Sequence, residues 1–320
     1  MFPLARTVLL VTLLVQQART DYKMMVTYGR PDEYSAYTTL GLSWEDCVTR
    51  CHAQADCLVV YDADCQMFTV GQIGSVLKEH GPQVAIKITS SDSCPLDDEV
   101  SDRGYIADNS AEPPTYRNWS MAYTGSSWSF ADSGLVSCPI NFTLLLRPKG
   151  PWCALVVTKT SCVTQTEAVT DCAATYGGVL SGIEDRAEFD FFAAKGVEIW
   201  EKRASDTFSK YGFWVNGERK TSCKRASSAA NSFDASCNGT NEFAFSDPTL
   251  SSDPAGYVWS SVGNQPDGKN WYVTVANCVN IVIFNATFFG TDDFDCNNST
   301  TTANGSNLCY KGYVCGRPPA

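Results

Sequence analysis

Fifteen cysteines in a chain of 320 residues constrain its structure more than any other feature. Thiols in that number are a hazard in a reducing cytosol and normal in a protein that folds in the secretory pathway. They fall into two groups, from Cys47 to Cys94 and from Cys138 to Cys315, with none in between. The cysteine pattern therefore predicts a secreted protein with two disulfide-bonded modules.

The N-terminus predicts the same compartment. Arg6 is followed by an apolar run from Thr7 to Val15 and then by polar and small residues up to Thr20, which is the order of a secretory signal peptide. The run is too short for a bilayer, which needs about twenty residues, and no later stretch is long and apolar enough. We therefore expect residues 1–20 to be cleaved and the mature chain to be soluble outside the cell. An uncleaved signal anchor is the alternative.

Seven Asn-X-Ser/Thr triplets agree with secretion, because they are acceptors for N-linked glycans. One such triplet arises easily by chance, but seven together are better evidence. The candidate glycosylation sites are Asn118, Asn141, Asn238, Asn285, Asn297, Asn298 and Asn304.

The charge of the chain argues against some partners. A formal net charge of −11 disfavours nucleic acid and anionic membranes, because phosphate contacts need clustered Lys and Arg. Excess carboxylate suits Ca²⁺, although plain solubility is the interpretation that we favour. A hydrophobic content of 44% is sufficient for packed cores.

Residues 95–137 differ in composition from the segments on either side. They contain Pro95, Pro113 and Pro114, many Asp, Ser and Asn residues, and no cysteine. Such a segment is typical of a connection between folded units. We predict that it is mostly linker between a first module over residues 22–94 and a second over residues 138–320.

The first module is predicted to pin one helix to a small sheet. Ser43 can cap a helix that carries Asp46 in its first turn. Cys47 and Cys51 are four residues apart and so lie on one face of that helix. The alternating segment at residues 84–88 favours a strand.

This module resembles the nematode CW subgroup of PAN domains. The matching strings are SWEDCVTRC, DCLVVYDADCQMF and VAIKI. The resemblance implies an adhesive module that binds protein or carbohydrate. A zinc site of Cys47, Cys51, His52 and Cys57 is the alternative, which the oxidising compartment disfavours because such thiols pair with each other.

The second module is predicted to begin with two helices. The first covers about residues 164–176, contains Cys172 and ends at Gly177. The second follows Asp185, which is spaced with Glu188 as a capping box. Strands and loops make up the rest of the module.

The order of residues in this module resembles the C-type lectin-like domain over about residues 138–317. The matching strings are GVLSGIEDRAEFDFF, FWVNGERK, FAFSDPTL, GYVWSSVGNQPDG, NCVNIVIF, DDFDC and YVCG. The fold class expected for the chain is therefore α+β. A small disulfide-bonded PAN/CW-like domain and a linker precede a lectin-like domain with two helices, antiparallel sheets and long loops.

The two resemblances imply a set of disulfides. In the lectin-like family one bond ties the first helix to the last strand and a second clips the long loop region. The proposed pairs in the second module are Cys172–Cys315, Cys278–Cys296, Cys138–Cys153, Cys223–Cys237 and Cys162–Cys309. An exchange of Cys296 and Cys309 as the partner of Cys278 stays open.

In the first module, pairing Cys51 with Cys57 and Cys47 with Cys65 leaves Cys94 alone. An odd cysteine in a secreted chain indicates an intermolecular bond or an unbonded thiol. A disulfide-linked dimer through Cys94 is one outcome, and a different pairing within the first module is another.

The resemblance also implies a candidate Ca²⁺ and carbohydrate site. Sugar-binding members hold the ion with oxygen ligands on either side of a cis-proline, a Glu before a core cysteine and an acidic element before the next one, and Ca²⁺ requires such hard oxygen ligands. Gln265 and Asp267 flank Pro266 in the form that accompanies galactose-type selectivity, and Asp292 and Asp293 match the last element.

Two departures put this site in doubt. Ala276 stands where the family has Glu, and Asp292 replaces an amide, so that a hydrogen-bond donor is lost. Asn270 or Asn277 would have to supply the missing ligand. The alternative interpretation is that Gln-Pro-Asp is only turn chemistry.

Catalysis is disfavoured by the position of the two histidines. His52 and His80 both fall in the first module, so no histidine base can stand beside a nucleophile in the larger one. The expected function is extracellular recognition of a glycan or a protein, with Ca²⁺-dependent galactose-type binding, in innate defence. The alternatives are an adhesion module whose sugar site is degenerate and, less favoured, an enzyme.

Overall fold

A computed structural model describes residues 22–89, 98–203, 207–224, 236–262, 264–268, 276–284, 287–302 and 307–320. The expected signal peptide, Cys94 and the acceptors Asn285 and Asn304 lie outside these ranges and stay predictions. The described residues form antiparallel sheets with three α-helices, which is the α+β class expected. None of these helices has the length and apolar character needed to cross a membrane.

The first half of the chain contains one helix and eleven strands among the described residues. Ser43 caps the helix as expected, since its side chain accepts a hydrogen bond from the Asp46 N–H. The elements are Tyr22–Tyr28 (β1), Arg30–Tyr34 (β2), Thr38–Thr39 (β3), Trp44–Ala53 (α1), Cys57–Tyr61 (β4), Gln66–Thr69 (β5), Ile73–Leu77 (β6), Gln83–Thr89 (β7), Asp102–Asp108 (β8), Thr115–Tyr123 (β9), Ser127–Asp132 (β10) and Val136–Ser137 (β11).

These strands form two sheets around a common core. The first sheet has the order β1-β7-β4-β5-β3, and the second has the order β11-β9-β10-β6-β2 with β8 paired to β9. Val59 and Phe68 of the first sheet pack with Trp119, Met121 and Trp128 of the second. Helix α1 covers the other side of the first sheet through its buried cysteines.

The prediction that residues 95–137 are mostly linker is wrong for the described part, residues 98–137. Strands β8 to β11 occupy this segment, and β10 pairs with β6 of the first module. The polar composition hid the strands because only one face of this sheet is buried. Trp119 and Met121 alternate with the exposed Asn118 and Ser120 along β9, which is the two-residue period of a half-buried strand.

The described residues of the second half of the chain build one nine-stranded sheet with a helix on each face. Phe213 and Trp214 are adjacent on one strand and point to opposite faces, Phe213 into the cluster with the long helix and Trp214 into the cluster with the short one. The elements are Thr143–Arg147 (β12), Gly150–Thr158 (β13), Gln165–Tyr176 (α2), Val179–Leu180 (β14), Arg186–Glu201 (α3), Lys210–Arg219 (β15), Phe243–Ala244 (β16), Cys278–Phe284 (β17), Thr287–Phe294 (β18), Thr300–Thr301 (β19) and Leu308–Arg317 (β20).

The main path of this sheet is β12-β13-β20-β15-β17-β18, antiparallel except for the parallel pair of β15 and β20. Helix α2 ends at Gly177, whose φ of 64° is in the left-handed region that glycine adopts without strain. Helix α3 begins at Asp185, which accepts from the Glu188 N–H. The Glu188 carboxylate does not complete the expected capping box, because it accepts from the Glu184 N–H and from Arg147.

Seven disulfides are present among the described residues, and they are the pairs proposed above. Cys278 bonds Cys296, and Cys162 bonds Cys309, so the exchanged arrangement is not the one adopted. The others are Cys47–Cys65, Cys51–Cys57, Cys138–Cys153, Cys172–Cys315 and Cys223–Cys237. The bond between Cys172 and Cys315 joins α2 to the last strand.

The two halves of the chain contact each other directly. The Asn109 side chain donates to the Leu144 carbonyl at 3.0 Å and accepts from the Leu144 N–H at 2.9 Å. The backbones of Ser137 and Ala320 exchange two hydrogen bonds, at 2.9 and 3.0 Å. Tyr116 of the second sheet packs on the small cluster that encloses the Cys138–Cys153 bond.

We predict that Trp128→Ala destabilises the protein by about 3–5 kcal/mol, because Trp128 is fully buried between the two sheets of the first half. Chemical denaturation of native and variant protein measures the free energy of unfolding. The control is Leu135→Ala, because the Leu135 side chain is 65% exposed. This substitution is expected to change the free energy of unfolding by less than about 0.5 kcal/mol. Equal small effects would show that β10 is not part of this core.

Candidate functional site

The residues proposed for the Ca²⁺ and sugar site do meet at one end of the large sheet. Strands β17 and β18 pair there, with Cys278 opposite Phe294 and Val279 opposite Asp293. The Cys278–Cys296 disulfide closes the pair. The loop with Gln265 lies beside Asp293, because the Gly268 N–H donates to Asp293 Oδ2 at 2.9 Å.

The Gln265–Pro266 peptide bond is cis. Gln265 Oε1 accepts from the Asp267 N–H at 2.9 Å, and the Gln265 N–H donates to the Ser260 carbonyl at 3.1 Å. Gln265 therefore uses its side-chain oxygen to stabilise the turn itself, which agrees with the turn-chemistry alternative.

Burial changes the ionisation of the two adjacent aspartates. It raises the pKa of Asp292 to about 8, with further increases from the nearby carboxylates of Asp293 and Asp267. It also raises the pKa of Asp293 to about 6, against the opposing influence of Arg219. Asp292 therefore keeps its proton at neutral pH and is a poor Ca²⁺ ligand, since Ca²⁺ binds ionised oxygens, whereas Asp293 is mostly ionised there.

The guanidinium group of Arg219 lies between the buried carboxylates of Asp293 and Glu242. Arg219, at the end of β15, is 1% exposed. Its Nη2 donates to Asp293 Oδ2 at 2.7 Å and its Nε to the Ala276 carbonyl at 3.1 Å. Its Nη1 contacts the buried Glu242 carboxylate, and its Cζ lies 4.8 Å from the centre of the Phe243 ring.

The described residues fit a Ca²⁺ ion poorly. Asp293 Oδ1 and Asn277 Oδ1 are buried and make no hydrogen bond there, so one carboxylate oxygen and one amide oxygen remain for a cation, fewer than the roughly six to eight oxygen ligands that Ca²⁺ takes. An ion on the Asp293 oxygen would lie next to the positive charge of Arg219, and like charges repel strongly in a buried site. Ala276 contributes no carboxylate, and the ranges that the structure covers contain no group of three His, Cys, Asp or Glu side chains suited to a metal. Asn270 lies outside those ranges.

Arg219 and Glu242 are the site residues that the sequence did not reveal. They are separated from Asp293 by 74 and 51 positions, and no local pattern connects them. The sequence offered one signal for them, the absence of an acidic residue at Ala276. Without that ligand an ion is held less well, and the carboxylates that remain buried then need another positive charge.

The described glycosylation acceptors lie at the surface. Asn118, Asn141, Asn238 and Asn297 are exposed, and Asn298 is partly buried. The Asn298 side chain donates to Asp295 at 3.2 Å, so this acceptor shares a turn with the strand that carries Asp293.

Comparisons with known proteins find two family models and a distant solved structure. Residues 147–318, more than half of the chain, match the family model for C-type lectin domain-containing protein 141/158. Residues 24–88 match the PAN-like domain. The crystal structure of human lithostathine is 17% identical, with 56% of this chain and 90% of lithostathine covered and a TM-score of 0.31. No curated protein matches the chain.

We predict that Arg219→Met destabilises the protein by about 3–5 kcal/mol, because it leaves Glu242 and Asp293 buried without a counter-charge. The matched control is Lys224→Met, since Lys224 pairs with Glu218 on the surface and such pairs contribute at most about 1 kcal/mol. Denaturant midpoints of the three proteins, each with and without Ca²⁺, provide the comparison. A small loss for both variants would contradict a structural role for Arg219.

Proposed function

The chain belongs to the C-type lectin domain-containing protein 141/158 family, and we propose that it is an extracellular recognition protein that binds a glycan or a protein without Ca²⁺. Its PAN-like domain and lectin-like domain are both of the binding type, and its disulfides suit an extracellular setting. Recognition of microbial surfaces in innate defence is the role we propose for it.

The position of Arg219 carries this proposal. Its guanidinium contacts Asp293, Glu242 and the Ala276 carbonyl, and so neutralises the carboxylates that an ion would otherwise need to bind. The loop that contains cis-Pro266 is attached to this group through Asp293. A permanent positive charge from the chain itself therefore holds the loop, and ligand binding does not depend on a dissociable ion.

Ca²⁺-dependent binding of galactose-type sugars is the second candidate. The observation in its favour is the cis peptide bond between Gln265 and Pro266, followed by Asp267. It requires Asp267 and Asp293 to leave their present partners for the ion, with the sugar hydroxyls bound to the same oxygens.

No catalytic step is part of this proposal. His52 lies on α1 and its Nε2 contacts the Tyr22 carbonyl at 2.9 Å, far along the chain from the lectin-like domain. His80 precedes β7. A protein that works by binding needs neither of them as a base.

Retention on immobilised galactose and binding to a glycan array, each in Ca²⁺ and in EDTA, test the proposal. We expect binding that EDTA leaves unchanged and a melting temperature that Ca²⁺ does not raise, because a ligand that binds only the folded state would raise it. The variants are Asp267→Ala and, as a control, Asp253→Ala, an exposed carboxylate on the preceding loop. Galactose retention that is lost in EDTA and in Asp267→Ala, but kept in Asp253→Ala, would establish the second candidate instead.

A further inference from the structure

A cleft of about 640 Å³ lies where the two halves of the chain meet. One wall is the outer face of the second sheet, formed by β8, β9 and β10, and the other is the turn at Pro148 and Gly150 between β12 and β13. A volume of this size is typical of sites for small ligands. The hydrogen bonds between Asn109 and Leu144 hold the two walls together.

The sheet wall carries two neighbouring tyrosine rings. Tyr105 on β8 lies opposite Asn118 on β9 in the strand register, and Tyr116 lies two residues before Asn118 on the same face. The Tyr105 and Tyr116 rings stack at 5.9 Å with an interplanar angle of 22°. Both rings are only partly buried, so part of this apolar surface is available to a ligand.

Polar groups on the same face surround the two rings. Arg103 lies opposite Ser120 in the register, and both are exposed. The Arg103 guanidinium forms no ion pair or hydrogen bond with any residue in the described ranges, whereas Asp132, the carboxylate of the cleft, pairs with Arg117 at 3.3 Å. The cleft therefore has an uncompensated positive charge, although the protein as a whole is acidic.

We propose that this cleft binds a short acidic oligosaccharide. The two tyrosine rings suit the flat apolar face of a sugar ring, the Asn118 amide and the Ser120 hydroxyl suit its hydroxyl groups, and Arg103 pairs with a carboxylate or sulfate on it. A peptide fits this wall less well, because the backbone groups on the face of a sheet are already paired with neighbouring strands. The site is separate from the loop of Asp267 and Asp293 and needs no Ca²⁺.

A glycan on Asn118 would compete with a ligand for the cleft. Asn118 is both a lining residue and a glycosylation acceptor, so a glycan attached there would fill the cleft. Asn118→Gln removes the acceptor and keeps an amide. Measurements on the native chain and on Asn118→Gln therefore separate an empty cleft from one that the chain's own glycan covers.

The probe is a chondroitin sulfate tetrasaccharide, titrated calorimetrically in EDTA and at two salt concentrations. We expect saturable binding to Asn118→Gln that weakens with salt and falls roughly tenfold in Arg103→Gln, the usual effect of losing one charged hydrogen bond. The control Arg50→Gln, an exposed arginine on α1, changes the net charge equally and is expected to leave binding unchanged. Tyr116→Leu should also weaken binding, while Tyr37→Leu, at a ring 44% exposed on the first sheet's edge, should not.

Four results would overturn the proposal. The first is that Asn118→Gln does not bind the tetrasaccharide, and the second is that Arg50→Gln and Arg103→Gln lose affinity equally. The third is that inorganic sulfate competes as well as the sugar does. The fourth is that a tetraglutamate peptide binds in place of the sugar. Because every titration is done in EDTA, its outcome does not depend on the proposal for the lectin-like loop. Asp267→Ala combined with Asn118→Gln is expected to bind the tetrasaccharide like Asn118→Gln alone.

Discussion

Buried carboxylates in the lectin-like domain must be neutralised, and two buried arginines carry out most of that neutralisation. Arg147 donates to both oxygens of Glu188 at 2.7 and 2.8 Å and to Asp247 at 2.7 Å. Arg219 forms ion pairs with Glu242 and Asp293. An unpaired buried charge costs several kcal/mol, so neither arginine can be lost without rearrangement of the loops that supply its partners.

The two arginines attach different parts of the chain to the sheet. Arg147 sits at the end of β12 and joins α3 to the loop of Asp247, which also accepts from the Gly182 N–H. Arg219 sits at the end of β15 and joins the Glu242 segment to β18. Long loops without regular structure thereby obtain fixed positions from charge pairing, in addition to the covalent clips. A rigid frame of this kind is what a recognition surface requires, since ordering on binding reduces affinity.

The site shows why a local motif is an incomplete guide. The Gln-Pro-Asp turn, its cis bond and the position of Asp293 near it all follow from the sequence and the resemblance. The pairing of Arg219 with Asp293 does not, because Arg219 lies on another strand, 74 positions earlier in the chain. Likewise, the polar composition of residues 95–137 concealed strands whose buried partners, Leu58 and Val76, lie elsewhere in the chain.

The sequence by itself determined the α+β class and the helix starts at Ser43 and Asp185, because these follow from local capping chemistry and from the family resemblance. It also determined the disulfide pairs, through the family's cysteine positions, except for the choice between Cys296 and Cys309 as the partner of Cys278. Only the tertiary structure decided that the expected linker is part of a sheet, that Arg219 pairs with the buried Glu242 and Asp293, and that a cleft forms between the two halves. Each of those three depends on contacts between residues far apart in the chain, and the folded core alone brings such residues together.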